Sequence, residues 1–145
     1  MTLRLKSAAE LPPHLRAQLE PARAVMPKPR KYRNEPVIVD DIRFESQLQA
    51  DSYAQLMARW NFGAGPVAWF HRQVIFDCGG GVTYRCDFQV VWTEGPWQRV
   101  TYEDCKGVLT QDCINKLKQV RSRYGITVDL IEREEGRLVS RPWRE

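Results

Sequence analysis

No run of apolar residues in this chain approaches the roughly 20 needed to cross a bilayer, and no secretory signal pattern opens it. A soluble, cytoplasmic protein is the expectation. Metal-binding side chains of the zinc type are scarce. Cys78, Cys86, Cys105 and Cys113 form no C-x-x-C pair, and His14 and His71 stand far apart in the sequence. No zinc site is expected from such spacing. Cys78 and Cys86 flank a glycine run and could face each other, but in a reducing cytosol free thiols are the default. No internal repeat is visible. Gly79-Gly80-Gly81 lacks the following Lys-Ser/Thr that would hold a nucleotide's phosphates and Mg²⁺, so a nucleotide-binding loop is also missing.

What is present suits one domain. The chain has 145 residues, of which 43% are hydrophobic and five are Trp, enough for a buried core. The net charge of +4 is unevenly spread: residues 1–33 carry +6, residues 34–105 carry −5 and residues 106–145 carry +3. Basic ends attract phosphates, while the acidic middle holds the candidate metal ligands. Residues 1–33 contain Pro12, Pro13, Pro21, Pro27 and Pro29. They read as a basic, Pro-rich flexible arm with one short helix over residues 14–19. Within it, Lys28, Arg30, Lys31 and Arg33 are candidate DNA contacts.

Periodicity places the elements of the remainder. Val37 to Val39 and Ile42 to Phe44 flank the turn pair Asp40-Asp41 and predict a small hairpin. Ser46-x-x-Gln49 has capping-box spacing and predicts a helix over residues 47–60, ended by Asn61-Phe62-Gly63. Gln49, Tyr53, Leu56, Met57 and Trp60 fall on one helical face, expected to be buried. Two strands, Val67 to Phe70 and Gln73 to Phe76, lead to the glycine turn. A second helix is expected after Thr110 or Asp112, with Cys113, Ile114, Leu117, Val120 and Tyr124 inward and Gly125 as its stop. Lys116, Lys118, Arg121 and Arg123 occupy its other face and are candidate phosphate contacts, although a basic face also serves solubility alone. Ile126 to Ile131 reads as a strand parallel to the one before this helix, because a helix joins them. Glu134-Glu135-Gly136 turns into Arg137 to Val139, and the tail from Arg141 receives no assignment.

The stretch from Tyr84 to Gly107 carries the chemistry. Cys86, Phe88, Val90 and Trp92 alternate with polar residues, which predicts a half-buried strand. After the Glu94-Gly95-Pro96 loop, residues 98–105 read as its returning partner. Asp104 and Lys106, two apart, project from one face of that partner, and Glu103 from the other. If Asp87 lies opposite or diagonal to Asp104, two carboxylates and an ammonium meet in one small site. Mg²⁺ binds through one or two carboxylates plus waters and substrate phosphates. The same residues also fit a surface hairpin with solvated charges.

Asp87 followed by Asp104-Cys105-Lys106 resembles the D…(D/E)-x-K signature of the PD-(D/E)XK nuclease superfamily. The surrounding residues are similar to a narrower branch, small phage and prophage endonucleases related to Holliday-junction resolvases. The matching pieces are Lys31-Tyr32-Arg33-Asn34, the run Val37 to Phe44, Ser46-x-x-Gln49-Ala50 and Tyr53. They continue in order with Tyr84-x-x-Asp87-Phe88, Glu103-Asp104-Cys105-Lys106-Gly107 and Thr110. The resemblance spans about residues 31–131. It implies an α/β fold, a restriction-endonuclease-like mixed sheet of about four or five strands flanked by helices, with residues 34–145 as the nuclease-like domain. It also implies an Mg²⁺- or Mn²⁺-dependent DNA endonuclease, acting in a bacterial host cell on behalf of a phage or prophage.

Under that implication Asp87 and Asp104 hold the metal, and Lys106 positions or helps deprotonate the attacking water. The family usually places glutamate, a third acidic ligand, where this chain has Gln49. A neutral amide oxygen can still ligate Mg²⁺ but adds no charge. Gln49 is thus a weak third ligand or only a capping residue. The alternative is a catalytically inactive DNA- or protein-binding module on the same fold, such as a phage-encoded inhibitor. DNA is the expected partner, no membrane is expected, and a homodimer would supply the two sites that cutting two strands requires.

Overall fold

The computed structural model describes residues 34–61, 65–93 and 99–145. The expected N-terminal arm with Lys28, Arg30, Lys31 and Arg33, the stop at Phe62-Gly63 and the Glu94-Gly95-Pro96 loop lie outside them. Elements follow the order β1 (Val37–Val39), β2 (Ile42–Phe44), α1 (Gln47–Asn61), β3 (Val67–Gly79), β4 (Val82–Trp92), β5 (Arg99–Cys105), α2 (Gln111–Tyr124), β6 (Asp129–Glu134) and β7 (Arg137–Pro142). The strands β1 and β2 pair by themselves, and β3-β4-β5-β6-β7 form a mixed sheet in that order. Only the β5–β6 pair is parallel, and α2 is its crossover. The fold is the expected α/β mixed sheet with helices. Among the described residues no helix is long and apolar enough to cross a membrane.

Turn chemistry sets the hairpins. Asp40 and Asp41 have φ of 51° and 61°, and Gly80 and Gly81 have 60° and 77°. Two consecutive positive-φ residues match the right-handed twist of the strands they join, and aspartate is among the few non-glycine residues that tolerate this region.

Period two then divides the core. On β6, Ile131 packs with Ala50, Tyr53 and Leu56 of α1, while its neighbour Leu130 packs with Leu117 and Val120 of α2. Adjacent residues of a strand point to opposite faces, so each helix covers its own side. Burying Leu117 and Val120 stabilises the α2 side by about 1.5–3 kcal/mol per side chain. Thr110 caps α2, its Oγ1 accepting from the Cys113 N–H at 3.2 Å, and Gly125 ends it at φ 66° with its N–H donating to the Arg121 carbonyl.

Three sequence expectations need correcting, and one unassigned stretch proves ordered. Val67 to Phe70 and Gln73 to Phe76 are one strand, because pairing to β4 continues on both sides of Gln73. Trp60 is exposed, its ring in a T-shaped contact with Phe70, so the buried stripe of α1 ends at Leu56 and half-buried Met57. The ladder of β6 begins at Asp129 and runs to Glu134; Ile126 lies before it, outside any regular element. The unassigned tail is ordered: β7 reaches Pro142, and the buried Trp143 donates its N–H to the Val128 carbonyl at 2.9 Å. All four cysteines are free thiols, and register pairs Cys86 with Val74 rather than Cys78.

Candidate active site

Asp87 has no ladder partner on either side: the β4–β5 ladder ends one residue away, and the β3–β4 ladder skips it and resumes in register. Pairing with β5 runs from Trp92↔Arg99 to Phe88↔Glu103, and one more step would set Asp87 against Asp104. Pairing with β3 passes from Arg72↔Phe88 to Val74↔Cys86, and the residue between, Gln73, has φ 56°. A non-glycine residue held there costs about 1–3 kcal/mol, and such strain gathers where a chain must be re-aimed. The side chain of Asp87 takes over from the missing ladder. Its Oδ2 accepts from the backbone N–H of Cys105 at 2.9 Å, satisfying a donor that the interrupted β4 backbone leaves free.

Asp104, on the other strand, is completely buried. Its Oδ2 accepts from the Tyr84 hydroxyl and lies 3.1 Å from the Lys106 ammonium, which also sits 5.9 Å from the centre of the Tyr84 ring. Its Oδ1 is buried with no hydrogen-bond partner. A bare carboxylate oxygen away from water is costly, and native folds rarely leave one without reason.

The electrostatics report the same crowding. Burial pushes the Asp87 carboxyl up to about 7, helped by the neighbouring Asp104 charge, and opposed by the Cys105 N–H and Lys106. Burial acts to lower Lys106, but the Asp104 charge and hydrogen bond outweigh it and raise it above its ordinary value. It is therefore an ammonium throughout the neutral range. Burial, then the Asp104 charge, pushes Tyr84 far above its usual value, so its hydroxyl remains a donor.

Gln49 enters from the first turn of α1. Its backbone N–H donates to Ser46 Oγ at 3.2 Å, as the capping box predicts. Its Oε1 accepts from the N–H of Glu45 at 3.0 Å, one residue earlier than the box requires, and its Nε2 donates to Asp87 Oδ1 at 3.0 Å. A backbone donor on one side and a carboxylate on the other permit only this amide orientation. The nitrogen of Gln49, not its oxygen, faces the acids.

The sequence candidates Asp87, Asp104, Lys106 and Gln49 thus come together. Tyr84 joins them; it appeared in the sequence only as part of a motif, and nothing local indicated that its hydroxyl would reach Asp104 across 20 positions. Glu103 points to the α1 face, where with Arg59, Trp92, Arg99 and Asp129 it lines a cleft of about 460 Å³. On α2, Lys116 pairs with Asp112 at 2.9 Å and Lys118 with Glu145 at 3.4 Å, while Arg121 and Arg123 are exposed. The Arg123 guanidinium lies close over the Gly79 backbone, where a Cβ would come within 2.5 Å of it.

Asp87 and Asp104 are the two residues that could hold a hard divalent cation here. It would give Asp104 Oδ1 a partner and offset the burial and the Asp104 charge that together raise Asp87. Among the described residues no group of three or more His, Cys, Asp or Glu side chains is placed to hold a metal. Water and substrate oxygens would complete the coordination. Comparison of the chain with protein-family models, with curated proteins and with solved structures finds no match.

Proposed function

We propose that this protein is a metal-dependent DNA endonuclease that hydrolyses phosphodiester bonds, with branched, Holliday-junction-like DNA as its substrate class. One observation carries the reading: Asp87, Asp104 and Lys106 converge where the β4–β5 ladder ends, and a buried Asp104 oxygen is left without a partner. The resemblance of these residues to the PD-(D/E)XK signature supports it and supplies the branched-DNA preference.

Asp87 and Asp104 would hold Mg²⁺ or Mn²⁺. Bound there, the cation supplies Lewis-acid stabilisation of charge on the phosphoryl and leaving 3′ oxygens. Lys106, tied to Asp104 but about a third exposed along its side chain, positions the attacking water and offsets charge on the phosphate. Its persistent charge suits positioning better than proton removal. On α2, Arg121 lies roughly 15 Å along the helix from Gln111, several phosphate spacings away, and with Arg123 it can follow a backbone leading from the site. Lys116 and Lys118 are partly neutralised by their acidic partners and contribute less. Lys28, Arg30, Lys31 and Arg33 are further candidate DNA contacts on the sequence reading. Two copies acting as a homodimer would cut two strands. On this reading the protein works in the cytoplasm of a bacterial host, encoded by a phage or prophage.

A second reading is favoured by one contact. The Gln49 amide nitrogen against Asp87 Oδ1 fills space where the family's third acid would stand, which suits an inactive binding module. Incubating the protein with labelled branched and linear duplex DNAs, with Mg²⁺, Mn²⁺ or chelator, decides between the two. Metal-dependent cutting supports the nuclease, and shifted but uncut DNA under every condition supports the binding module.

A further inference from the structure

We infer that the cleft on the α1 face is a second binding site, for a guanine nucleotide, with the phosphate on Arg59 and Arg99 and the base on Glu103. It is distinct from the acidic cluster, because Glu103 and Asp104 are neighbours on β5 and point to opposite faces of the sheet. Binding there needs neither metal nor cleavage. At about 460 Å³ the cleft has the size of a small-molecule site. Its rim is basic. Exposed Arg99 and half-buried Arg59 hold their guanidiniums 5.2 Å and 6.0 Å from the centre of the Trp92 ring. Among the described residues neither takes part in an ion pair, and two guanidiniums gathered on one ring suit a phosphate.

Its interior is acidic. Glu103 is only 7% exposed, yet its hydrogen bonding is thin. The Trp92 indole N–H donates to Thr101 Oγ1 at 2.7 Å, which leaves the threonine proton for Glu103 Oε1 at a long 3.4 Å. Among the described residues Oε2 has no partner. Burial, then the Asp129 charge, raises the Glu103 carboxyl above its ordinary value, against Arg59, the Thr101 hydroxyl and Arg99. A carboxylate so buried has acceptor capacity that the protein does not use. Asp129, opposite Glu103 in the β5–β6 register, adds a second acceptor. Guanine fits this lining. Its N1–H and N2–H are adjacent donors that pair with both oxygens of one carboxylate. Adenine and cytosine set an acceptor nitrogen beside their amino group, and thymine has one N–H between two carbonyls. Guanidinium and indole planes are surfaces on which a base stacks.

Free nucleotide and an unpaired guanosine in a DNA strand share this chemistry. The test is calorimetric titration of dGMP, dAMP, dCMP and dTMP into the full chain in chelator, followed by oligothymidylate with and without one central guanine. The expected result is that dGMP binds roughly tenfold or more tightly than the other three, and that Glu103→Gln and Arg99→Ala each weaken it by a similar factor. A guanine that tightens oligonucleotide binding, with the gain lost in Glu103→Gln, assigns the site to a DNA strand. An oligonucleotide indifferent to guanine, beside selective dGMP binding, assigns it to free nucleotide. Equal affinity for all four nucleotides, no binding at millimolar dGMP, or an unchanged Kd in folded Glu103→Gln overturns the inference.

A second measurement does not depend on any variant folding. In wild-type protein the Trp92 indole N–H, tied to Thr101 inside the cleft, should shift in ¹H–¹⁵N NMR on adding dGMP and stay in place with dTMP. An indole signal that ignores dGMP overturns the inference. A chain that binds dGMP in chelator yet cuts no DNA would overturn the nuclease reading and leave this one standing. Metal-dependent cutting without dGMP binding would do the reverse.

Discussion

The side-chain amide of Gln49 donates to Asp87 Oδ1 at 3.0 Å, and its oxygen is already committed to the N–H of Glu45. A helix cap and an acidic site therefore share one side chain. The cap dictates which end of the amide the site receives. At this position a glutamate would offer the acids an oxygen; glutamine, held this way, offers them a donor.

Replacing Gln49 with glutamate should reverse that relation. A carboxylate would stand against Asp87 Oδ1, adding repulsion in the metal-free protein and attraction for a cation. Gln49→Glu should lower the Mg²⁺ or Mn²⁺ concentration needed for cleavage. It should also lower Tm in chelator and raise the gain in Tm on adding metal. Titrating metal against Tm for both proteins checks this; superimposable curves would remove Gln49 from the site.

Removing the acid or the ammonium should stop chemistry before it harms the fold. Asp87→Asn keeps an acceptor for the Cys105 N–H, and Lys106 is a partly exposed side chain whose truncation leaves the core intact. Asp87→Asn and Lys106→Ala should each reduce cutting by roughly 10²-fold or more while circular dichroism and most DNA affinity persist. Cleavage that survives both substitutions would refute the assignment.

Stability of the metal-free protein should fall as pH rises, opposite to the usual carboxylate trend. The Asp87 pKa is raised from 3.8 to about 7, so between those values the folded state binds more protons than the unfolded state. The stabilisation is complete below the unfolded pKa and is lost as pH rises through the folded one. Between about pH 5 and pH 7 this amounts to roughly 2–3 kcal/mol at most. Urea unfolding in chelator should show this slope in the wild type and a shallower one in Asp87→Asn. Equal slopes would show that Asp87 does not titrate there.

DNA affinity should depend steeply on salt, and unevenly on the basic residues of α2. Neutralising Arg121 and Arg123 together should reduce the slope of log K against log salt by roughly two. Neutralising Lys116 and Lys118 should change it less, since each has an acidic partner at 2.9 Å or 3.4 Å. Binding measured across a salt series for both double variants checks the order. A reversed order would move the DNA path off this helix end.

Much of this structure is encoded by residues close together in sequence. Thr110 and Gly125 bound α2, Ser46 starts α1, and Asp40-Asp41 and Gly80-Gly81 turn the hairpins. Each depends on a cap or a dihedral preference that acts over a few positions. Alternation along β4 and the two-residue spacing of Asp104 and Lys106 are legible for the same reason. What the sequence could not decide is which distant partners those side chains would meet. Register set Asp87 beside Asp104, and packing buried Trp143 and left Trp60 exposed. The Tyr84 hydroxyl on Asp104 and the Gln49 nitrogen on Asp87 close contacts across 20 and 38 positions. Periodicity tells a residue which face it occupies. Only the assembled sheet and helix, with every buried donor and acceptor competing for a partner, tell it whom it faces there.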